Sequence, residues 1–191
     1  MTDQRHLTAR GLVRHKALIS AAEELFLAKG YAAATVDEIV AKAGGSKTNV
    51  YSQFGGKEGL FFEVVEHLSA EFISPLRQID LGLAEPEVAL AILARTLLRQ
   101  LLKPRHIAFQ RMILASSEQF PALMARWYEV GPRQSQAILT RVLGSAGVAT
   151  LFHDMIVTDP VNLAMMGQCP AWPEVEAHID AAIAIILRAT A

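Results

Sequence analysis

"GGSKTNVYSQFGGKEGLF", residues Gly44–Phe61, decides how this chain is read. Two glycine pairs enclose a segment that opens Ser46-Lys47-Thr48-Asn49 and sets Val50 and Phe54 four residues apart. Glycine tolerates the left-handed backbone that ends helices, and a serine hydroxyl accepts from a free amide of a helix's first turn. The stretch therefore predicts a short helix capped by Ser46 and closed by Gly55-Gly56, with Val50 and Phe54 facing inward. Lys57 then opens a long helix whose apolar row is Leu60, Phe61, Val64, Val65, Leu68 and Phe72.

Working upstream, Thr35-Val36-Asp37-Glu38 forms a capping box, in which the threonine hydroxyl takes a free amide and Glu38 reaches back. It starts a second short helix to about Lys42, expected to bury Val36, Ile39 and Val40. Before it, Leu18, Ile19, Ala22, Leu25 and Phe26 share a face of a helix from about Ala9 to Lys29, with Gly30 as its stop. Downstream, helices are expected at about Pro86–Leu102, Pro104–Glu118, Pro121–Leu143, Val148–Gly167 and Pro173–Ala189. Four begin at proline, where the missing N–H costs nothing. Pro160 should kink or split its helix, and Gly131-Pro132 should do the same to the third. With no strand-like alternation and no repeat, the fold class is all-α. A three-helix unit over residues 1–60 precedes a larger helical unit over residues 61–191.

The composition is globular, with 52% apolar and 19% charged residues, and a core of real size is expected at 191 residues. Net charge is −1. Residues 1–60 hold eight Lys/Arg against six Asp/Glu, with His6 and His15 besides; residues 61–191 hold ten against thirteen. That gradient alone decides nothing. The single cysteine, Cys169, excludes an intramolecular disulfide and is expected as a small core filler rather than an oxidant sensor. The N-terminus has no apolar signal core, and "AAIAIIL" at Ala181–Leu187 falls far short of the roughly 20 apolar residues of a span. A cytoplasmic protein with no membrane partner is expected.

Two short helices joined by a glycine turn have the layout of a helix-turn-helix. A helix entering the major groove presents its first turn to base edges. Lys47, Thr48 and Asn49 occupy that turn. Asparagine pairs bidentately with adenine, lysine reaches guanine or phosphate, and the threonine methyl meets thymine. Tyr51 lies off the Val50/Phe54 row, so its hydroxyl faces out toward a phosphate. Thr35, Ser46 and Lys57 stand at helix N-termini, where free amides and the helix dipole favour an anion. The bland alternative for these residues is capping and a solvated hairpin face.

At these residues the sequence resembles the DNA-binding domain of TetR-family transcriptional regulators. The resemblance runs through "LISAAEELFLAKGYAAATVDEIVAKAGGSKTNVYSQFGGKEGLFFEVV", Leu18–Val65. Three departures stand out: Gly45 where the family usually has valine, Thr48 where glycine or arginine is frequent, and Asn49 in place of the usual threonine. An operator sequence is therefore not carried over, and Gly45 should loosen the seating of the third helix. Residues 104–143, especially Ala108–Gln134, and His178–Ala189 are similar to the regulatory domain of the AefR-like subgroup. The resemblance implies a homodimer built on the last two long helices and a pocket for a small, apolar effector. Phe109, Met112, Trp127, Phe152 and Met155 are the candidate lining, with ordinary core packing as the alternative for each.

His153-Asp154, His67 before Glu71, and His106 raise the question of a metal or a catalytic base. No second ligand pair stands at matching spacing, no phosphate-cradling loop occurs and no nucleophile has an evident base. No catalytic residue, metal or cofactor is expected. The expectation is a ligand-responsive repressor, dimeric on a palindromic operator and released by its effector, with the helix starting at Lys57 as the lever. A ligand-binding helical protein that has lost DNA binding is the alternative.

Overall fold

The computed structural model describes residues 9–190; His6 and the other residues of the segment 1–8 lie outside them. Among the described residues there are ten helices and no strand. They form two compact units, the first ending at His67 and the second beginning at Leu68. The all-α class holds.

The first unit contains α1 (Ala9–Ala33), α2 (Val36–Ala43), α3 (Lys47–Phe54) and the opening turns of α4 (Lys57–Arg77). Its core joins Leu18, Ala22 and Phe26 of α1, Ile39 of α2, Val50 of α3, and Leu60, Phe61 and Val64 of α4, all fully buried. Phe26 meets Phe61 edge-on with ring centroids 5.1 Å apart, a favoured aromatic geometry. His15 stacks on Phe54 at 4.7 Å, and its Nδ1 lies 3.1 Å from Gln53 Oε1. Those two contacts tie the end of α3 to α1.

The second unit takes the remainder of α4 together with α5 (Pro86–Leu101), α6 (Pro104–Ala115), α7 (Pro121–Val130), α8 (Pro132–Leu143), α9 (Ala146–Met165) and α10 (Trp172–Thr190). Leu90, Leu93 and Leu98 of α5, Leu139 of α8, Phe152 and Ile156 of α9, and Ile179 and Ile183 of α10 form its main core. Burying so much aliphatic surface is the dominant force holding these helices together.

Local details differ from expectation. Gly30 leaves helical geometry (φ 79°, ψ 167°) but the chain resumes a turn and α1 reaches Ala33, because Tyr31 packs its ring against Phe26 and Phe61. In α2 only Ile39 is buried; Val36 and Val40 are half-buried, since two helical turns present one narrow inward stripe. Gly131-Pro132 does divide α7 from α8. Pro160 does not divide α9, which runs on to Met165. It is itself buried, as are Ile156, Val161 and Ala164, so packing on both sides of the proline offsets the one lost backbone bond. Pro75 sits likewise inside α4. Cys169 is exposed, not a core filler, because it lies in the segment between α9 and α10.

Candidate nucleic-acid interface

The turn between α2 and α3 follows from its glycines. Gly44 takes the left-handed conformation (φ 67°) and its amide donates to the Val40 carbonyl, closing α2. Ser46 is extended (φ −131°) and its hydroxyl accepts from the Asn49 amide at 3.4 Å, opening α3. Val50 and Phe54 are buried beneath, so Lys47, Thr48, Tyr51 and Ser52 are left outside and exposed. Asn49 is half-buried, on the shoulder between the two faces. Ser52, not expected as a candidate, shares the outer face one turn after Thr48 and donates to the Asn49 carbonyl at 3.3 Å.

The second glycine pair explains the isolated tyrosine. Gly55 is the left-handed cap of α3 (φ 75°), and Gly56 follows at φ 122°. A Cβ on Gly56 would lie 3.4 Å from Tyr51 Cε1, so the Tyr51 ring rests on bare glycine backbone while remaining 60% exposed. Gly59 is tighter still: a Cβ there would fall 1.7 Å from the Phe54 carbonyl oxygen. α4 seats against the end of α3 only because position 59 has no side chain.

The charged groups are already engaged. Lys47 Nζ pairs with Asp37 Oδ1 at 2.7 Å, both side chains exposed, and the bond raises the lysine pKa. Lys57 is half-buried; its Nζ donates to the Ala32 carbonyl at 3.3 Å and lies 4.3 Å from the Tyr31 ring centroid. Burial lowers its pKa. The Thr35 hydroxyl accepts from the Glu38 amide at 3.2 Å and donates to Glu38 Oε2 at 2.8 Å, while the Thr35 amide donates to the same oxygen at 3.0 Å. Lys29 completes the set around Glu38, and the bonds from Lys29 and Thr35 hold that carboxyl down at about 2. So Thr35 caps α2 with its side chain, and the hydroxyl of Ser46 lies free of that network. Arg14 and Lys16, which flank His15 on α1, are exposed next to the α3 contact. The sequence signal that marks them is the run Arg14-His15-Lys16.

In the second unit, α4–α9 surround a cavity of about 50 Å³ lined by Ser69, Phe72, His106, Phe109, Trp127 and His153 among others. Phe109 and Trp127 were expected there. The other three expected residues are not in its wall. Phe152 is fully buried in the main core and Met155 packs against that core, because α9 turns them toward α5 and α10. Met112 is buried apart from the cavity. Burial lowers His106 to about 4, so it is neutral near pH 7. Burial lowers His153 as well, opposed by its bond to Asp154 at 3.1 Å. Among the described residues no group of three or more His, Cys, Asp or Glu gathers as metal ligands, and no helix is long and apolar enough to cross a membrane.

A glycine-turned pair of short helices with one polar outer face, followed by a separate helical unit holding an aromatic cavity, is the build of a helix-turn-helix transcription regulator. Residues 18–64 match the family described as bacterial regulatory proteins, tetR family, and residues 88–150 match the AefR-like transcriptional repressor C-terminal domain. The chain belongs to the TetR family of transcriptional regulators, a non-enzymatic class. It is similar to the HTH-type transcriptional repressor NicS of Pseudomonas putida, 34% identical over 73 residues that span 38% of this chain and 34% of that protein. The HTH-type transcriptional activator FasR of Mycolicibacterium smegmatis is 38% identical over 65 residues, 34% of this chain and 30% of its own length. The chain thus matches about a third of each of these relatives. A TetR-family regulator from Mesorhizobium loti superimposes with a TM-score of 0.79 at 28% identity, covering 95% of this chain and 98% of its own. The Flavonoid-responsive Regulator FrrA gives 0.78 at 28% identity, covering 92% and 96%.

Proposed function

We propose that the protein is a ligand-responsive repressor that binds a palindromic operator as a homodimer and is released when a small molecule occupies its second unit. The observation that carries the reading is the outer face of α3: Lys47 and Thr48 stand exposed in the first turn while Val50 and Phe54 anchor the helix from below. Bases are read from Lys47, Thr48, Asn49 and Ser52; Ser46, Tyr51, Arg14 and Lys16 meet phosphates, and Thr35 and Lys57 position the helices around them. The repressor sense is supported by the AefR-like repressor match, since NicS and FasR, a repressor and an activator, carry opposite names. Response to a small molecule is supported by the aromatic cavity and by the name of FrrA.

The dimer is supported by α9 and α10, which leave Leu151 and Ile185 exposed at 62% and 50% beside exposed Ala181 and Ala184. Two protomers joined there would present their α3 helices to successive major grooves, about 34–36 Å apart or a multiple. Fluorescence anisotropy on DNA upstream of the protein's own gene, over a salt series, tests the reading. Sequence-selective binding with a salt slope of about −0.9 per phosphate neutralised is the expected result. Binding indifferent to sequence, or none at low salt, would overturn it.

A further inference from the structure

We propose that the cavity of the helical unit takes a neutral phenol, its hydroxyl held by Ser69 and His106 and its ring set among Phe72, Phe109 and Trp127. The proposal rests on the reading of this unit as the effector-binding one, and adds the chemical class of the effector.

The starting observation is a pair of orphaned polar groups. Ser69 is 3% exposed and His106 is 4% exposed, yet Ser69 Oγ and both ring nitrogens of His106 have no hydrogen-bond partner among the described residues. Buried polar atoms are almost always paired, so three unpaired ones on the wall of one cavity point to a partner that arrives with a ligand. Their placement agrees. A Cβ on Gly131 would lie 3.1 Å from the Trp127 carbonyl oxygen, 3.7 Å from Trp127 Nε1 and 4.0 Å from Ser69 Oγ, so the serine hydroxyl and the indole nitrogen face the same glycine.

The chemistry of these groups selects the ligand. A neutral imidazole offers one acceptor and one donor, and a serine hydroxyl offers either. A phenolic O–H both donates and accepts, so it can pair with Ser69 Oγ and with one ring nitrogen of His106 at the same time. A carboxylate only accepts, and no lysine or arginine lines the cavity to balance its charge. Part of the wall is aromatic: Phe72 and His106 meet perpendicularly with centroids 4.4 Å apart, and Phe109 lies 5.8 Å from each. A planar ring extends this edge-and-face cluster. The volume of about 50 Å³ is roughly a third of the ~150 Å³ of a cavity that holds benzene, so it excludes a long acyl chain and takes a single ring only as the surrounding side chains give way.

Titration calorimetry of the intact protein with p-cresol, p-xylene and p-toluate at pH 7 tests this. The three share a ring and a methyl group and differ in hydroxyl, methyl or carboxylate. We expect p-cresol to bind at least tenfold tighter than either of the others, because a site built around a hydroxyl rejects the analogue lacking it. His106→Phe keeps a ring against Phe72 and Phe109 but removes both nitrogens. It should erase the preference for p-cresol, leave p-xylene binding equal or better, and leave Tm unchanged or higher. Ser69→Ala, a smaller change, should cut the preference severalfold and carries the test if His106→Phe does not fold. Equal binding of p-cresol and p-xylene, tightest binding of p-toluate, or an undiminished preference in both variants would each overturn the proposal while leaving the cavity a ligand site. If none of the three binds while operator binding is intact, the proposal and the effector role of this cavity fall together and the DNA-binding reading stands.

Discussion

In the proposed interface Lys47 stands in the first turn of α3, and it is held by a carboxylate. Its bond to Asp37 joins the first turn of α2 to the first turn of α3 across the glycine turn. An exposed pair of this kind adds little to stability, because water and salt screen it. A phosphate or a guanine edge therefore competes with Asp37 for the ammonium, and Asp37 also repels the DNA backbone. Asp37→Asn should tighten binding to every DNA sequence severalfold at low salt, with a steeper salt dependence and a gain that fades as ionic strength rises. Anisotropy titrations on operator and scrambled duplexes read this; unchanged affinity for both would mean that Asp37 does not compete with DNA for Lys47. Gly45 gives a second prediction. Its φ is not in the left-handed range, and a Cβ would meet Leu18 Cδ2 at 3.6 Å, an ordinary contact. The expected loosening of α3 at this position is therefore small, and Gly45→Ala should stabilise the protein by about 0.4–1 kcal/mol by restricting the unfolded chain. A urea midpoint that falls would show that the turn needs glycine after all.

Elements show which features were legible in the sequence. Caps and glycine stops involve neighbours within a few residues, so Thr35, Ser46, Gly44 and Gly55 could be read directly, and each has the predicted bond or backbone angle. Contacts between elements could not. Nothing local marks Asp37 as the partner of Lys47, and nothing local shows that Gly59 abuts the Phe54 carbonyl. In the cavity, Phe109 and Trp127 stood out as aromatics, but Ser69 and His106 matter only because α4 and α6 fold around the same space. The seat of α4 on α3 yields a prediction. With a backbone oxygen 1.7 Å from the new methyl, Gly59→Ala must shift one helix, and overpacking of this kind costs about 1–3 kcal/mol or more. Chemical denaturation should show that loss together with weaker operator binding; a variant as stable as wild type would mean that α3 and α4 separate freely. The α2 cap responds to pH. Glu38 is lowered from 4.5 to about 2 by Lys29 and Thr35, so its folded-state bonds favour the carboxylate. The stability it adds is whole above about pH 5 and is lost as pH falls from 4.5 toward 2. Glu38→Gln should therefore differ from wild type in urea midpoint at pH 7 and converge with it near pH 2. A gap that persists in acid would place the effect in packing and not in charge.

At the scale of the molecule, the proposed palindromic operator calls for two α3 helices acting together, and the outer faces of α9 and α10 are where that proposal can be tested. Ile185 is 50% exposed, with Ala181 and Ala184 exposed on the same side of α10, while Ile183 and Ile186 face the core. An exposed isoleucine flanked by small residues allows a partner helix to approach closely, yet its replacement leaves the protomer's own core intact. Substitutions at such surface positions usually change stability by no more than about 0.5 kcal/mol. Ile185→Asp should therefore fold as wild type by circular dichroism and thermal melting, yet sediment as a monomer against the dimer proposed for wild type. Each protomer would then bind a half-site alone. Linking two half-site contacts raises apparent affinity by about 10²–10⁴ through effective concentration, so the variant should lose that factor on the full palindrome. On an isolated half-site it should match wild type. The comparison separates two causes of weak binding, since damage to α3 would lower half-site affinity as well. A variant that remains dimeric and keeps full operator affinity would move the dimer contact away from α10.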